Sequence, residues 1–140
     1  MLYLIGLGLN EKSLSKEAIE IIKRCKKVYL EDYTVDFPYT HQALIDEIGK
    51  KFVTADREKV ESLEIVDEAK KMDVALLVYG SPLTATTHIT LIEEAILSGI
   101  KYRIINNASV LDGIAETGLQ VYKFGKITSL PEWKKSYEPD

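Results

Sequence analysis

A chain of 140 residues fits one domain with a real hydrophobic core. Its 46% hydrophobic and 29% charged residues are the balance of a folded globular protein and exclude a disordered one, and a net charge of -4 gives no field for gripping nucleic acid. The apolar runs fall far short of the roughly 20 residues a membrane span needs. A single cysteine, Cys25, excludes an internal disulfide and a cysteine-built zinc cluster and makes the cytoplasm the expected compartment, while two histidines are too few for a histidine-rich metal centre.

In chain order, Leu2 to Gly8 is an apolar strand ending in Gly6-Leu7-Gly8-Leu9-Asn10. No basic leader precedes it, so it reads as a first strand and not as a signal peptide. Ser13 is the expected N-cap of a helix whose inner face carries Ala18, Ile19, Ile22 and Cys25 at helical spacing. Lys23, Arg24, Lys26 and Lys27 close that helix at the negative end of its dipole. Val28 to Tyr33 is the second strand, with Glu31 and Asp32 near its end. Neighbours on a strand point to opposite faces, which predicts one of these carboxylates in solvent and the other toward a cleft. Val35 to Thr40, with Pro38, is a loop; His41 to Ile48 is a short helix capped by Gly49. Phe52 to Thr54 is a third strand. Asp56 to Met72 is expected to be helical, with Val60, Leu63, Ile65, Val66 and Ala69 apolar.

Val74 to Tyr79 is a continuous apolar run, of the length of a strand buried on both faces. It breaks on Gly80-Ser81-Pro82 and passes through Thr84, Ala85, Thr86, Thr87 and His88 into a helix expected over Thr87 to Leu97. Ile89, Ile92, Ala95 and Ile96 face inward on that helix, and Gly99 stops it. A buried strand ending in a polar turn before a helix is where open α/β sheets place ligands, although threonines that merely cap the helix account for the same residues. Tyr102 to Ile105 is a fifth strand, and Asn106 to Ser109 opens a short helix through Ala115. Gly118 to Lys126 is a loop leading to a short strand at Ile127-Thr128. The expected domain is 1–128; residues 129–140, with two prolines from Pro131 onward, read as a tail or a severed inter-domain linker.

Strands alternating with helices predict an α/β fold, a mostly parallel five-stranded sheet with helices on both faces. Right-handed connections gather the strand-end loops along one edge: 6–10, 31–34, 80–87 and 106–110. Gly6-Leu7-Gly8 has two glycines of a dinucleotide fingerprint, but Glu11 stands where the third belongs, so no nicotinamide site is expected. A phosphate loop and a nucleophile elbow are both absent, Cys25 lies within a helix, and no catalytic residue is assigned. His88 reads as a structural hydrogen-bonding residue rather than a metal ligand, His41 as a surface residue, and the tyrosines as packing residues. Hydroxyls, backbone amides and a few carboxylates remain. Such a site suits a reaction whose reactive group belongs to a bound cofactor, as in methyl transfer from a sulfonium.

Four strings, 1–9, Gly80-Ser81-Pro82-Leu83-Thr84-Ala85-Thr86-Thr87-His88, Asn107-Ala108-Ser109-Val110 and 117–126, together resemble the diphthine synthase family. That family belongs to the tetrapyrrole-methylase-like class of S-adenosylmethionine-dependent methyltransferases. The resemblance implies the N-terminal domain of the tetrapyrrole methylase fold, S-adenosylmethionine as cofactor, and cofactor contacts at Leu9, Ser81, Thr84, Ser109 and Val110. It implies methylation, by a homodimer, of the amino nitrogen on the 3-amino-3-carboxypropyl group of the modified histidine of translation elongation factor 2, in diphthamide biosynthesis; the charge balance and the short apolar runs make neither nucleic acid nor membrane an expected partner. Two departures stand out. Ser81 replaces an aspartate usual in the family, which lowers the expected cofactor affinity by ~1–3 kcal/mol. Family members are also about twice as long, so the chain resembles their N-terminal half, needs a separate C-terminal half, and is expected to be inactive alone. A non-catalytic cofactor-binding or dimerisation module, or a methylase acting on a tetrapyrrole, are the alternatives.

Overall fold

Two strands are apolar at every position, Leu2–Gly6 (β1) and Val74–Val78 (β4), and both lie buried in the middle of a sheet. The computed structural model describes residues 1–128, so the tail expected at 129–140 lies outside the described residues. Lys27–Glu31 (β2), Val53–Ala55 (β3) and Tyr102–Ile105 (β5) complete the sheet, in the order β3-β2-β4-β1-β5. All of its ladders are parallel. Parallel strands need covering on both faces, and the helices do this. Lys16–Arg24 (α1) and His41–Ile48 (α2) pack on one face, where Ala18, Ile21, Ile22, Leu44 and Ile48 meet Tyr3, Ile5, Leu30 and Leu77. Arg57–Glu61 (α3), Glu64–Ala69 (α4) and Ile89–Leu97 (α5) cover the other, where Val60, Ile65, Val66, Leu91 and Ala95 meet Leu2, Leu4, Tyr29 and Leu76. The chain leaves β1 toward β2 and leaves β4 in the opposite direction, toward β5. The gap between β1 and β4 is therefore the topological switch point, where open sheets leave room for a ligand at the strands' carboxyl ends.

Several local expectations are corrected. Ser15, not Ser13, caps α1, its hydroxyl accepting the Ala18 amide at 3.1 Å; residues 10–13 are already folded into a turn, with the Ser13 amide on the Asn10 carbonyl. The helix expected from Asp56 to Met72 is two helices. Leu63 sits at φ 63, a left-handed conformation that ends the first, and the Ser62 hydroxyl donates to the Lys59 carbonyl there. Leu63 still packs on the core, so the kink lets both short helices follow the sheet. In α5, which starts at Ile89 rather than Thr87, the buried residues are Leu91, Ile92 and Ala95, whereas Ile89 and Ile96 are 48% and 58% exposed. Residues 91, 92 and 95 form the tighter stripe, and its phase sends positions 89 and 96 outward together. Ile127-Thr128 forms no strand, and Ile127 stands exposed.

One polar cluster staples α4 to β2. The Glu68 carboxylate accepts from Lys27 Nζ at 2.9 Å and from the Tyr29 hydroxyl at 2.8 Å, with Lys59 Nζ at 3.4 Å. Burial acts to raise this carboxyl, but the hydrogen bonds from Lys27 and Tyr29 and the two lysine charges outweigh it and hold the group below its usual range. A depressed carboxyl contributes stability that is present above its unfolded value of 4.5 and is lost as pH falls through the folded value. Thermal melts should therefore show a steeper loss below about pH 4.5 in the parent than in Glu68→Gln. Identical slopes would remove this cluster from the acid response.

Candidate functional site

The loops after β1 and β4 are joined at the switch point. The Gly8 amide donates to the Gly80 carbonyl at 3.1 Å, and the Gly80 amide returns the bond to Gly8 at 3.0 Å. Side chains are excluded here by geometry. A Cβ on Gly6 would lie 2.6 Å from the Gly80 carbonyl oxygen, and Gly8, at φ +74, would put one 2.5 Å from Ser13 Cβ. Beyond this bridge the Tyr79 hydroxyl donates to the Leu9 carbonyl at 2.9 Å.

Asn107, just past β5, ties a third loop to the one after β1. Its Nδ2 donates to the carbonyls of Gly6 at 3.2 Å and Ser13 at 2.9 Å, while its Oδ1 accepts the Ala108 amide at 2.8 Å. Ser109 then caps the short helix Val110–Gly113 (α6). Its hydroxyl accepts the Leu111 amide, and Asp112 accepts the Ser109 amide at 2.6 Å, a reciprocal capping box. Those hydrogen bonds, from the Ser109 backbone first and its hydroxyl second, hold the Asp112 carboxyl below its usual range.

The loop after β2 sends its two acids to opposite sides, but the buried one faces no cleft, and it is the exposed Asp32 that lines a cavity. Glu31 is buried and turned back on its own loop, one oxygen accepting the Tyr33 and Thr34 amides and the Thr34 hydroxyl. Asp32 is outside and pairs with His41 Nε2 at 3.2 Å. His41 is thus more than the surface residue expected, for its ring also meets Phe37 edge-on at 5.6 Å and Phe52 at 5.9 Å. An open cavity of 630 Å³ lies beside this pair, lined by Asp32, Asp36, Phe37, Tyr39 and His41 among others. The Tyr39 hydroxyl is buried and meets no partner among the described residues; burial, then Tyr79 and Glu11, push its ionisation well above the usual phenol range.

The turn from Ser81 to His88 is folded around one carbonyl. Pro82 O accepts the Thr86 hydroxyl at 2.8 Å and lies 3.2 Å from His88 Nδ1. A carbonyl only accepts, so Nδ1 carries the proton and Nε2 is left to accept from the Tyr33 hydroxyl, 3.5 Å away. His88 is 2% exposed and structural, as its position suggested.

The residues expected to touch a cofactor fall around this bridge. Leu9 is half-buried, with Cδ1 against Gly113 of α6. Ser81 and Thr84 are half-buried and linked by the Thr84 amide on the Ser81 carbonyl at 3.2 Å. Gly80, beside Ser81, faces Ser109, which is 6% exposed, and Val110 next to it is 59% exposed. Leu9 and Val110 thus offer apolar surface and Ser81 and Thr84 offer hydroxyls along one rim, a donor set that fits a nucleoside with an apolar edge. Tyr79 and Asn107, which hold the rim's backbone, lie outside the expected site residues; Tyr79, directly after the apolar β4, carries a local signal, whereas Asn107, second after β5, shares it with Asn106. Among the described residues no group of three histidine, cysteine, aspartate or glutamate side chains could hold a metal ion, and no helix is long and apolar enough to cross a membrane.

Comparison with known proteins agrees with this architecture. The chain is 44% identical to a Homo sapiens protein named diphthine methyl ester synthase over 143 residues, covering 100% of this chain and 50% of the relative. It is likewise 44% identical to the Saccharomyces cerevisiae protein of that name, covering 100% of this chain and 48% of the relative. A crystal structure of diphthine synthase superposes with a TM-score of 0.81 at 35% identity, over 89% of this chain and 52% of that one. A structure from Entamoeba histolytica, described as a candidate diphthine synthase, gives 0.86 at 37% identity over 100% of this chain and 54% of that one. The chain spans about half the length of the curated relatives it matches. A sequence profile of the tetrapyrrole (corrin/porphyrin) methylases matches residues 1–138, and the five-stranded parallel sheet is theirs: the chain belongs to the tetrapyrrole methylase family.

Proposed function

We propose that this chain is the N-terminal half of a diphthine synthase-type methyltransferase that acts on the modified histidine of translation elongation factor 2 in diphthamide biosynthesis. The supporting observation is the rim at the switch point, where Leu9, Ser81, Thr84, Ser109 and Val110 converge, in a chain that matches half of each such relative throughout its length. S-adenosylmethionine, when bound, supplies an electrophilic methyl group. The chain's part is to hold the rim rigid through the Gly8–Gly80 bridge and Asn107 and to shield one side of the site from water. An unprotonated amino nitrogen is one acceptor. The relatives are named for a methyl ester, which forms on a carboxylate oxygen, so the acceptor carries a carboxylate as well. In this reading residues 1–128 are the methylase domain, 129–140 belong to a tail or inter-domain linker, and the enzyme works as a cytoplasmic homodimer.

Mixing the chain with a separately expressed C-terminal half, methyl donor and unmethylated elongation factor should raise the mass of the factor; no gain in any mixture overturns the reading. Calorimetry with S-adenosylhomocysteine separates it from a dimerisation module that binds no cofactor, which gives no heat alone or reconstituted. Ser81→Asp restores a charged acceptor and is expected to tighten this binding about tenfold, since a charge-assisted hydrogen bond exceeds a neutral one by ~1–1.5 kcal/mol. Unchanged affinity would take Ser81 out of the cofactor site.

A further inference from the structure

The turn before α5 has a second side. Ala85, Thr86, Thr87 and His88 line a cavity of 170 Å³ together with Tyr33 and Thr34 after β2 and Arg57 at the start of α3. Three features give it a chemical character. The Arg57 guanidinium stands over the Tyr33 ring, 5.0 Å from its centroid, which braces it at the cavity wall. Ala85 is held at φ 56, and among the described residues the amides of Ala85, Thr86 and Thr87 meet no acceptor. A left-handed residue within a run of unpaired amides is the backbone concavity that receives anions. The buried His88 and the Pro82 carbonyl fix this shape from below.

A carboxylate already sits on the guanidinium. Arg57 donates through one nitrogen to Glu61 at 3.1 Å, an i,i+4 pair with both side chains at least half exposed. Exposed pairs of this kind are weak, so a better-placed carboxylate displaces Glu61 and leaves the local charge balanced. The other nearby acid, Glu31, does not line the cavity, and its three donors offset its charge.

We propose that this cavity is the subsite for a carboxylate of the methyl acceptor, gripped by the Arg57 guanidinium and the Ala85–Thr87 amides. The inference rests on the methyltransferase reading, in which the acceptor bears a free carboxylate. One turn then serves two ligands, its Ser81–Thr84 end facing the donor and its Ala85–Thr87 end the acceptor. Two sources offer the same chemistry: the aminocarboxypropyl group of the modified histidine and an acidic side chain of the carrier protein.

The isotope-labelled chain, titrated by NMR, tests this. The probes are 2-aminobutyrate, which has the skeleton of the aminocarboxypropyl group, its neutral methyl ester, and N-acetylglutamate amide as a mimic of a protein carboxylate. The Arg57 Nε–H and the amides of residues 85–87 should respond to 2-aminobutyrate and not to the ester. Tighter binding of N-acetylglutamate amide would support the carboxylate site and assign it to the carrier protein. Arg57→Gln should weaken binding about tenfold and Glu61→Gln should strengthen it several-fold, both with the domain still folded at the titration temperature because these side chains are exposed. No response, an equal response to the ester, or insensitivity to Arg57→Gln overturns the proposal. S-adenosylhomocysteine added to the same sample, read at Leu9 and Ser109, reports separately on the methyltransferase reading. Its failure with the separately expressed C-terminal half also present and 2-aminobutyrate still bound would sink that reading and leave a carboxylate site, and the converse would sink the subsite alone.

Discussion

Gly8→Ala is expected to destabilise the domain by about 3 kcal/mol, a sum of left-handed backbone strain and overpacking. The strain follows from φ +74, and the overpacking from a new methyl 2.5 Å from Ser13 Cβ and 2.9 Å from Asn107 Oδ1, neither of which is the free end of a long side chain. Gly99→Ala is the matched control. Gly99 has a similar φ of +66 but open space around it, so strain of about 1 kcal/mol is all it should cost. Urea denaturation of the two variants isolates the steric part. A third effect belongs to the site, because a displaced Gly8 loosens its reciprocal bonds with Gly80. S-adenosylhomocysteine should bind the Gly8 variant more weakly than the Gly99 variant even where both are fully folded. Equal stability losses in the two variants would show that the loop after β1 has slack to give.

The second large effect is expected at Asn107. Alanine there leaves the Gly6 and Ser13 carbonyls without their donor and the Ala108 amide without its acceptor. Unpaired groups in a partly buried setting cost ~1–3 kcal/mol each, with some regained from water, so a loss of about 3 kcal/mol is expected. Aspartate is the discriminating variant. It keeps an acceptor for Ala108 but turns an oxygen toward two carbonyl oxygens, and it should be worse than alanine. Amide hydrogen exchange offers a local reading: protection at Leu7 and Gly8, whose amides bond to Val78 and Gly80, should fall more than at the centre of β1. If aspartate proves as stable as asparagine, the Nδ2 bonds contribute nothing and the loop after β5 is held in place by other contacts.

The sheet was readable because parallel strands buried on both faces leave continuous apolar runs, and Leu2–Gly6 and Val74–Val78 are such runs. Gly49 was readable as a helix stop because few residues but glycine take its φ of 70. The break between α3 and α4 was hidden for the complementary reason, since the left-handed residue there is a leucine. In α5 isoleucines and leucines occupy too many phases for periodicity to choose one, and only packing against β1 and β4 decides that Leu91 goes in and Ile96 out. At the site, glycines and hydroxyls at strand ends marked the rim. The bonds that assemble it run between residues far apart in sequence, Tyr79 to Leu9 and Asn107 to Gly6, and no local pattern carries them. Arg57 was passed over because a charged residue at the start of a charged helix reads as solvated surface; the Tyr33 ring beneath it comes from another element.

The strand order has a consequence for how the molecule comes into being. Of the described strands β1 leaves the ribosome first, yet its partners are residues 74–78 and 102–105, and the loop beyond it is fastened by Asn107. A strand apolar on both faces therefore waits for most of the domain to be synthesised before either edge is covered. Long waits of this kind slow folding and leave sticky segments open to wrong partners. The cradle at the switch point is thus among the last parts to close. Its rim reports on completed folding of the whole sheet, so that variants which hesitate at β5 should fail in yield at the ribosome before any defect shows in the purified protein.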